Sequence, residues 1–99
     1  MKIINITLSF ADNIQKSALE WLSNEYLPLL RVCPAIASSN VFQIEAQQGA
    51  DDCFALQILF ESEDDFLLYC QRYQQDFESA LFAKFTNQFG MFKTILTSL

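Results

Sequence analysis

The run Ile4-Asn5-Ile6-Thr7-Leu8-Ser9-Phe10-Ala11-Asp12-Asn13-Ile14 changes period partway along, and the order of the remaining elements follows from that change. Up to Phe10 the apolar residues fall at every second position, with Asn5, Thr7 and Ser9 between them, which is the pattern of a strand with one buried face. Asp12 or Asn13 then offers a helix N-cap. From Ile14 the spacing becomes three and four, through Ala18, Leu22, Tyr26, Leu29, Leu30 and Cys33. Proline disfavours helical dihedrals at the residue before it, so this helix is predicted to end before Pro34. Pro28 falls inside it and should kink it or end it early.

Between Ser39 and Glu61 two β-rich runs flank Gln47-Gln48-Gly49-Ala50-Asp51, which reads as a hairpin. Pairing Phe42 with Leu56 and Ile44 with Phe54 puts every large apolar residue on one face, whereas a shift of one residue would bring Glu45 opposite Phe54. Next, Ser62-Glu63-Asp64-Asp65 comes close to a capping box and sets three acids where a helix N-terminus favours negative charge. The helix it opens carries the stripe Phe66, Cys70, Tyr73, Phe77, Leu81, Phe85 and Phe89, and Asp76 could cap a second, shorter helix from Phe77 onward. Gly90 supplies a stop, and residues 91–98 return to two-residue alternation. The order β-α-β-β-α-β is the split βαβ unit of a ferredoxin-like fold, an α+β sandwich with an antiparallel four-stranded sheet and both helices on one face. Ile4, Ile6, Leu8, Phe42, Ile44, Phe54, Leu56, Ile58 and Phe60 are expected under the helices.

Ninety-nine residues make a single domain, 1–99, because two independent cores need roughly 100 residues each. A hydrophobic share of 52% with only 2 Gly and 2 Pro excludes disordered and low-complexity chains. With no His, imidazole bases, Ser-His-Asp and Cys-His pairs, HExxH zinc sites and His-ligated haem are all ruled out. The net charge of −6 is concentrated in the second half, which lacks the basic footprint that nucleic acid or an anionic membrane requires. Cys33, Cys53 and Cys70 are odd in number and widely spaced, and read as buried reduced thiols. Polar residues interrupt the first apolar run too early for a signal peptide, and no run approaches the roughly 20 residues needed to span a bilayer. A cytoplasmic location is expected.

One sheet face has nothing in the chain left to cover it. By alternation it shows Asn5, Thr7, Val41, Gln43, Glu45, Cys53, Ala55, Gln57 and Leu59, with Lys93 and Ile95 from the last strand. That mixture is too apolar for a solvated face and too polar for a dry core. Such a patch marks an interaction surface, and the same face of a second copy would cover it, giving a homodimer in which two packed sheets form a barrel. Other users of this architecture leave different residues. An RNA-binding sheet would place aromatic platforms and basic residues on its open face, a heavy-metal carrier needs a CxxC loop, and acylphosphatase-like chemistry needs an Arg where this chain has Ala11-Asp12-Asn13.

From Trp21-Leu22-Ser23-Asn24-Glu25-Tyr26-Leu27-Pro28, through Tyr69-Cys70-Gln71-Arg72-Tyr73, to the stretch from Phe85 to Leu96, the chain resembles a bacterial family known as domain of unknown function 4286. That family is similar to the dimeric α/β-barrel group of ferredoxin-like proteins, and the resemblance implies the same fold and a dimer. It implies no established activity. Tyr26 stands where relatives often carry His, and Val32-Cys33-Pro34-Ala35-Ile36 departs from their usual Thr-Gly turn.

The dimeric-barrel group includes cofactor-independent monooxygenases and haem-degrading enzymes, some using an Asn, Trp and His set. Asn5 and Trp21 match two members of such a set, and the third is absent. A pocket for a small apolar ligand, lined by Trp21, Tyr26 and Phe42, is the one binding site the sequence suggests, and simple packing of Trp21 is the competing reading. Glu61, Glu63, Asp64 and Asp65 cap a helix and lack the alternation and central Gly of a calcium loop. Ser17, Ser38, Ser39 and Ser79 have no base beside them, and nothing in the sequence marks Lys84 or Lys93 as a desolvated nucleophile. No catalytic residue, metal ligand or cofactor is assigned. The expected function is a homodimeric, non-catalytic binding or interaction module, with a cofactor-independent, monooxygenase-like small-molecule enzyme as the alternative.

Overall fold

A computed structural model describes residues 1–45 and 52–99 of the chain. Strand β1 (Lys2–Phe10) leads into α1 (Gln15–Trp21), a π-helical turn (Leu22–Tyr26) and α2 (Leu27–Arg31). Strands β2 (Ser38–Ile44) and β3 (Cys53–Phe60) follow, then α3 (Glu63–Arg72), α4 (Gln74–Lys84) and β4 (Phe89–Thr97). The strands form one antiparallel sheet in the order β2-β3-β1-β4, and the helices pack their buried residues against one side of it. This is the predicted ferredoxin-like α+β architecture. The predicted hairpin turn 47–51 lies outside the described residues.

The central strands follow their alternation. Ile4, Ile6, Leu8 and Phe10 of β1 and Phe54, Leu56, Ile58 and Phe60 of β3 are all buried under the helices. The edge strands do not match the expected register. Strand β2 pairs Val41 with Leu56 and Gln43 with Phe54, one residue away from the predicted pairing. Paired residues share a face, so Phe42 and Ile44 point away from the helices while Ser39 and Val41 face them. The cause is sparse cover: Ser39 is buried and Arg31 Nη2 donates to its carbonyl at 3.3 Å, but beyond Val41 both faces of β2 are open. With two exposed faces, alternation no longer specifies which side is buried. Strand β4 differs in the same way, since Ile95 pairs with the buried Ile4 and Lys93 with the buried Ile6.

Several helix boundaries also shift. No side chain caps α1, whose N-cap is Ile14 rather than Asp12 or Asn13. The helix passes through Pro28 instead of stopping there, because the turn before it widens to i→i+5 bonding, with the Leu27 N–H donating to the Leu22 carbonyl. A proline cannot donate, and the wider turn absorbs that missing donor. Ser62 caps α3 as predicted, its Oγ accepting from the Asp65 N–H at 3.1 Å. The break between α3 and α4 falls at Tyr73, three residues before Asp76. The chain leaves α4 through Asn87 at φ 62°, a left-handed conformation that Asn tolerates, so Asn87 performs the stop assigned to Gly90, which sits inside β4.

Aromatic rings fill the layer between helices and sheet. Phe66, Phe60, Tyr69, Phe77, Tyr26, Trp21, Phe85 and Phe10 succeed one another with centroid separations between 5.1 and 6.3 Å. Tyr26 and Tyr69 are each 1% exposed, and the Tyr26 hydroxyl donates to the Phe77 carbonyl at 2.8 Å. Burial pushes both phenols well above their ordinary value, with the nearby Glu78 carboxylate adding to the shift.

Two outcomes are expected. Ser62→Ala should lower stability by about 1 kcal/mol in denaturant unfolding, the usual worth of an N-cap bond. The raised phenol values mean that the folded state holds its tyrosine protons more tightly than the unfolded chain. Their stabilising effect is therefore complete below about pH 10, the ordinary phenol value, and falls progressively above it. Tyr26→Phe should cost about 1 kcal/mol at neutral pH through the lost hydrogen bond, yet show a shallower loss of stability above pH 10 than the parent. Equal alkaline slopes for the two proteins would contradict this account.

Candidate functional site

The uncovered sheet face is built from residues that the strand pairing brings into rows. One row reads Ser38, Leu59, Ile3, Leu96 across β2, β3, β1 and β4; the next reads Asn40, Gln57, Asn5, Thr94; the third reads Phe42, Ala55, Thr7, Phe92. At the far end Ile44 pairs with Cys53, and Ser9 with Gly90. Asn5, Thr7, Gln57 and Leu59 therefore lie where the sequence placed them. Val41, Gln43 and Ile95 lie on the helix side, and Phe42, Ile44, Phe92 and Leu96 take their places, 50%, 39%, 68% and 41% exposed. The missed signal was weak, because both alternating sets of β4 contain apolar residues. Lys93 is the informative one: it reaches the helix side, where its Nζ pairs with Glu78 Oε1 at 2.8 Å.

At the centre of this face the amides are bonded to one another. Gln57 Nε2 donates to Asn5 Oδ1 at 3.2 Å, and Asn5 Nδ2 donates to Thr7 Oγ1 at 3.3 Å. No charged residue occurs among the described residues of the face, on a chain whose net charge is −6.

The pocket suggested by Trp21, Tyr26 and Phe42 is not assembled. Trp21 and Tyr26 do meet, with centroids 5.2 Å apart, but Phe42 lies on the opposite side of the sheet. The Trp21 ring meets the Phe85 ring edge-on at 5.2 Å, and Lys84 Nζ lies 5.8 Å from its centroid. Above β4, Glu78 Oε1 accepts from both Lys93 Nζ and Gln74 Nε2, so the Lys93 ammonium is held by a carboxylate partner. The neighbouring Cys70 thiol is pushed up by burial, which Lys93 partly opposes, and it stays protonated at neutral pH. Among the described residues no group of three His, Cys, Asp or Glu side chains converges to hold a metal ion. No described helix is long and apolar enough to cross a membrane.

Open space occurs at the end of the sheet where β1 gives way to α1. A cleft of about 460 Å³ there is lined by Ser9, Asp12, Gln15, Asp52, Asn87 and Gln88, together with Phe10 and Phe89. Its polar atoms are amides, carboxylates and one hydroxyl, which can accept hydrogen bonds from a small polar or cationic molecule. An adjoining hollow of about 390 Å³ shares Asn87 and Phe89 and adds Phe82, Ala83 and Thr86. Sequence periodicity could not reveal either, since each lining joins residues from separate elements and the turns between them.

Among solved structures, an EthD-family protein from Bacillus halodurans superposes with a TM-score of 0.73 at 14% identity, covering 100% of both chains. HapK from Hahella chejuensis gives 0.70 at 17% identity, covering 100% of this chain and 93% of its own. A putative antibiotic biosynthesis monooxygenase from Nitrosomonas europaea gives 0.68 at 11% identity, covering 100% and 99%. Likeness at this level of identity establishes a shared fold. No curated protein matches the chain. The family described as Domain of unknown function (DUF4286) matches residues 1–99, the whole length, and the chain belongs to that family.

Proposed function

We propose that this protein is a homodimeric binding or interaction module of the cytoplasm, joined through its open sheet faces and carrying no catalytic constellation of its own. The observation that supports this most directly is the open face. Four exposed apolar side chains, Phe42, Ile44, Phe92 and Leu96, surround an amide centre that is already hydrogen-bonded, with no charge on the described face. A charged partner finds no complement there, whereas an identical neutral face does. Four strands about 4.8 Å apart, averaging about eight residues that rise about 3.3 Å each, give a face of about 510 Å² and a pair about 1,000 Å² in all. That lies at the lower bound of about 1,000 Å² for a specific interface, as fits a dimer of modest affinity.

The binding reading draws on the filled interior. Aromatic rings occupy the layer between helices and sheet, and Tyr26, standing where relatives often carry His, has its hydroxyl committed to the Phe77 carbonyl. A ligand would use the strand-end cleft, whose volume lies in the range of small-molecule sites, with its apolar part at Phe82 and Phe89. That cleft also supports the second reading, a cofactor-independent enzyme acting on a small molecule, by analogy with the printed name of the Nitrosomonas europaea protein.

Light scattering at micromolar concentration should give twice the chain mass of 11.4 kDa. Phe92→Glu should shift the mass to that of one chain and leave the unfolding transition of the isolated domain within about 0.5 kcal/mol, because the side chain is exposed. A monomeric parent protein would remove the dimer. For the site, fragment titration followed by NMR should move the amide signals of Ser9, Asn87 and Phe89. Oxygen consumption on adding a small aromatic substrate to the purified protein would favour the enzyme reading over the module.

A further inference from the structure

Three strands meet at the end of the sheet that carries the cleft: β1 finishes there, and β3 and β4 begin there. Resting on that cleft as the ligand site, we infer that it takes a small organic cation, an ammonium group carrying a short apolar tail. The charge of the lining argues first. Asp12, two residues past the end of β1, and Asp52, one residue before β3, both line the cleft, and no lysine or arginine does. Elsewhere a carboxylate beside the sheet meets a lysine, Glu63 with Lys2 at 3.5 Å and Glu78 with Lys93 at 2.8 Å. Asp12 and Asp52 have no such partner among the described residues. Asp12 stands just ahead of α1, yet no side chain caps that helix, so its carboxylate is not taken up by the helix either. Two negative charges in one cleft without a counter-charge repel anions and favour a cation.

The rest of the lining selects an organic cation over a metal ion. A volume of about 460 Å³ is that of a small molecule, and no third His, Cys, Asp or Glu among the described residues converges with the two carboxylates. Phe10 and Phe89, stacked with centroids 6.3 Å apart, line the cleft as well, and the electron-rich faces of aromatic rings accept an ammonium better than an anion. The adjoining hollow has room for a tail. It shares Asn87 and Phe89 with the cleft and is walled by Phe82, which is 48% exposed with its ring 5.6 Å from that of Phe89. A ligand with its ammonium at the two aspartates therefore lays its apolar part across Phe89 onto Phe82, covering a ring that otherwise meets water. Gly90 leaves the Ser9 hydroxyl unobstructed as a further acceptor, since a Cβ at that position would come within 2.9 Å of Ser9 Oγ.

Three probes of similar shape test this on the full chain at pH 7 and low salt: 2-phenylethylammonium, the uncharged 2-phenylethanol and the anionic 3-phenylpropionate. Binding is read as the dissociation constant from NMR titration of the Ser9, Gln15 and Asn87 amide signals. The ammonium should bind at least about 5-fold more tightly than the alcohol, and the carboxylate most weakly. Asp12→Asn and Asp52→Asn should each weaken the ammonium by about 3-fold and leave the alcohol unchanged. Both aspartates are exposed, so these variants keep the fold, which circular dichroism checks. Phe82→Ala should weaken ammonium and alcohol alike. Equal affinity for the two, tightest binding by the carboxylate, or ammonium binding indifferent to both aspartates overturns the cationic ligand while leaving the cleft a ligand site. Calcium chloride binding more tightly than the ammonium in the same titration also overturns it, making the carboxylates an ion site. If none of the three phenyl probes moves these signals, the cleft itself falls as the ligand site.

Discussion

Strand β1 is the constraint from which the rest of the structure follows. It pairs with β3 over seven residue pairs and with β4 over nine, so the faces of its neighbours are settled by its own alternation. Ile4, Ile6, Leu8 and Phe10 must be buried together, and each apolar side chain carries about 1.5 to 3 kcal/mol of burial free energy. A slip of one residue would turn all four toward solvent and bring Asn5, Thr7 and Ser9 under the helices. The same alternation that builds the core therefore lines up Asn5 and Thr7 on the outer face, where they form the amide centre with Gln57. Core and outer sheet face are two sides of one pattern.

That dependence explains how far the sequence could be read. Strands β1 and β3 each have a helix-covered face, and their residues stand where alternation put them. Strands β2 and β4 are edges with partial cover, so burying one side costs little more than burying the other. Phe42 against Gln43, or Phe92 against Lys93, then presents two sets that periodicity ranks wrongly. What decides β4 is its pairing to β1, which puts Ile95 beside Ile4, and an ion pair across to Glu78 that makes Lys93 acceptable on the helix side. Neither is visible in the spacing of the chain. Phe42, placed on the inner face by its hydrophobicity, was lost from the suggested pocket for the same reason.

The helices show a different limit. Pro28 was expected to kink or end the first helix, and the Leu22–Tyr26 turn instead accommodates it by widening. That widening has a consequence for Tyr26, the last residue of the turn, whose ring lies between Trp21 and Phe77 and whose hydroxyl reaches the Phe77 backbone in α4. A proline in the first helical segment is in this way tied to a hydrogen bond across to α4. Wide turns of this kind often occur at functional positions in helices. Here the residue the turn presents is a phenol whose proton is held tightly by burial, a group suited to packing and poorly suited to proton transfer at neutral pH.

The distribution of charge connects the fold to what the molecule can do. Twelve acidic residues against six basic ones would make two copies repel if the charges met. On the helical side, Lys93 and Glu78 neutralise one another, and the acids at Glu63, Asp64 and Asp65 are spent on the N-terminus of α3. The described sheet face is left without charge. One flat face is therefore neutral, partly apolar and internally hydrogen-bonded, and it is the side on which like charges would least oppose a second copy. Acidic residues elsewhere on the described surface oppose like contact there, even though Leu29, Val32 and Phe82, on or beside the helices, are also exposed apolar side chains.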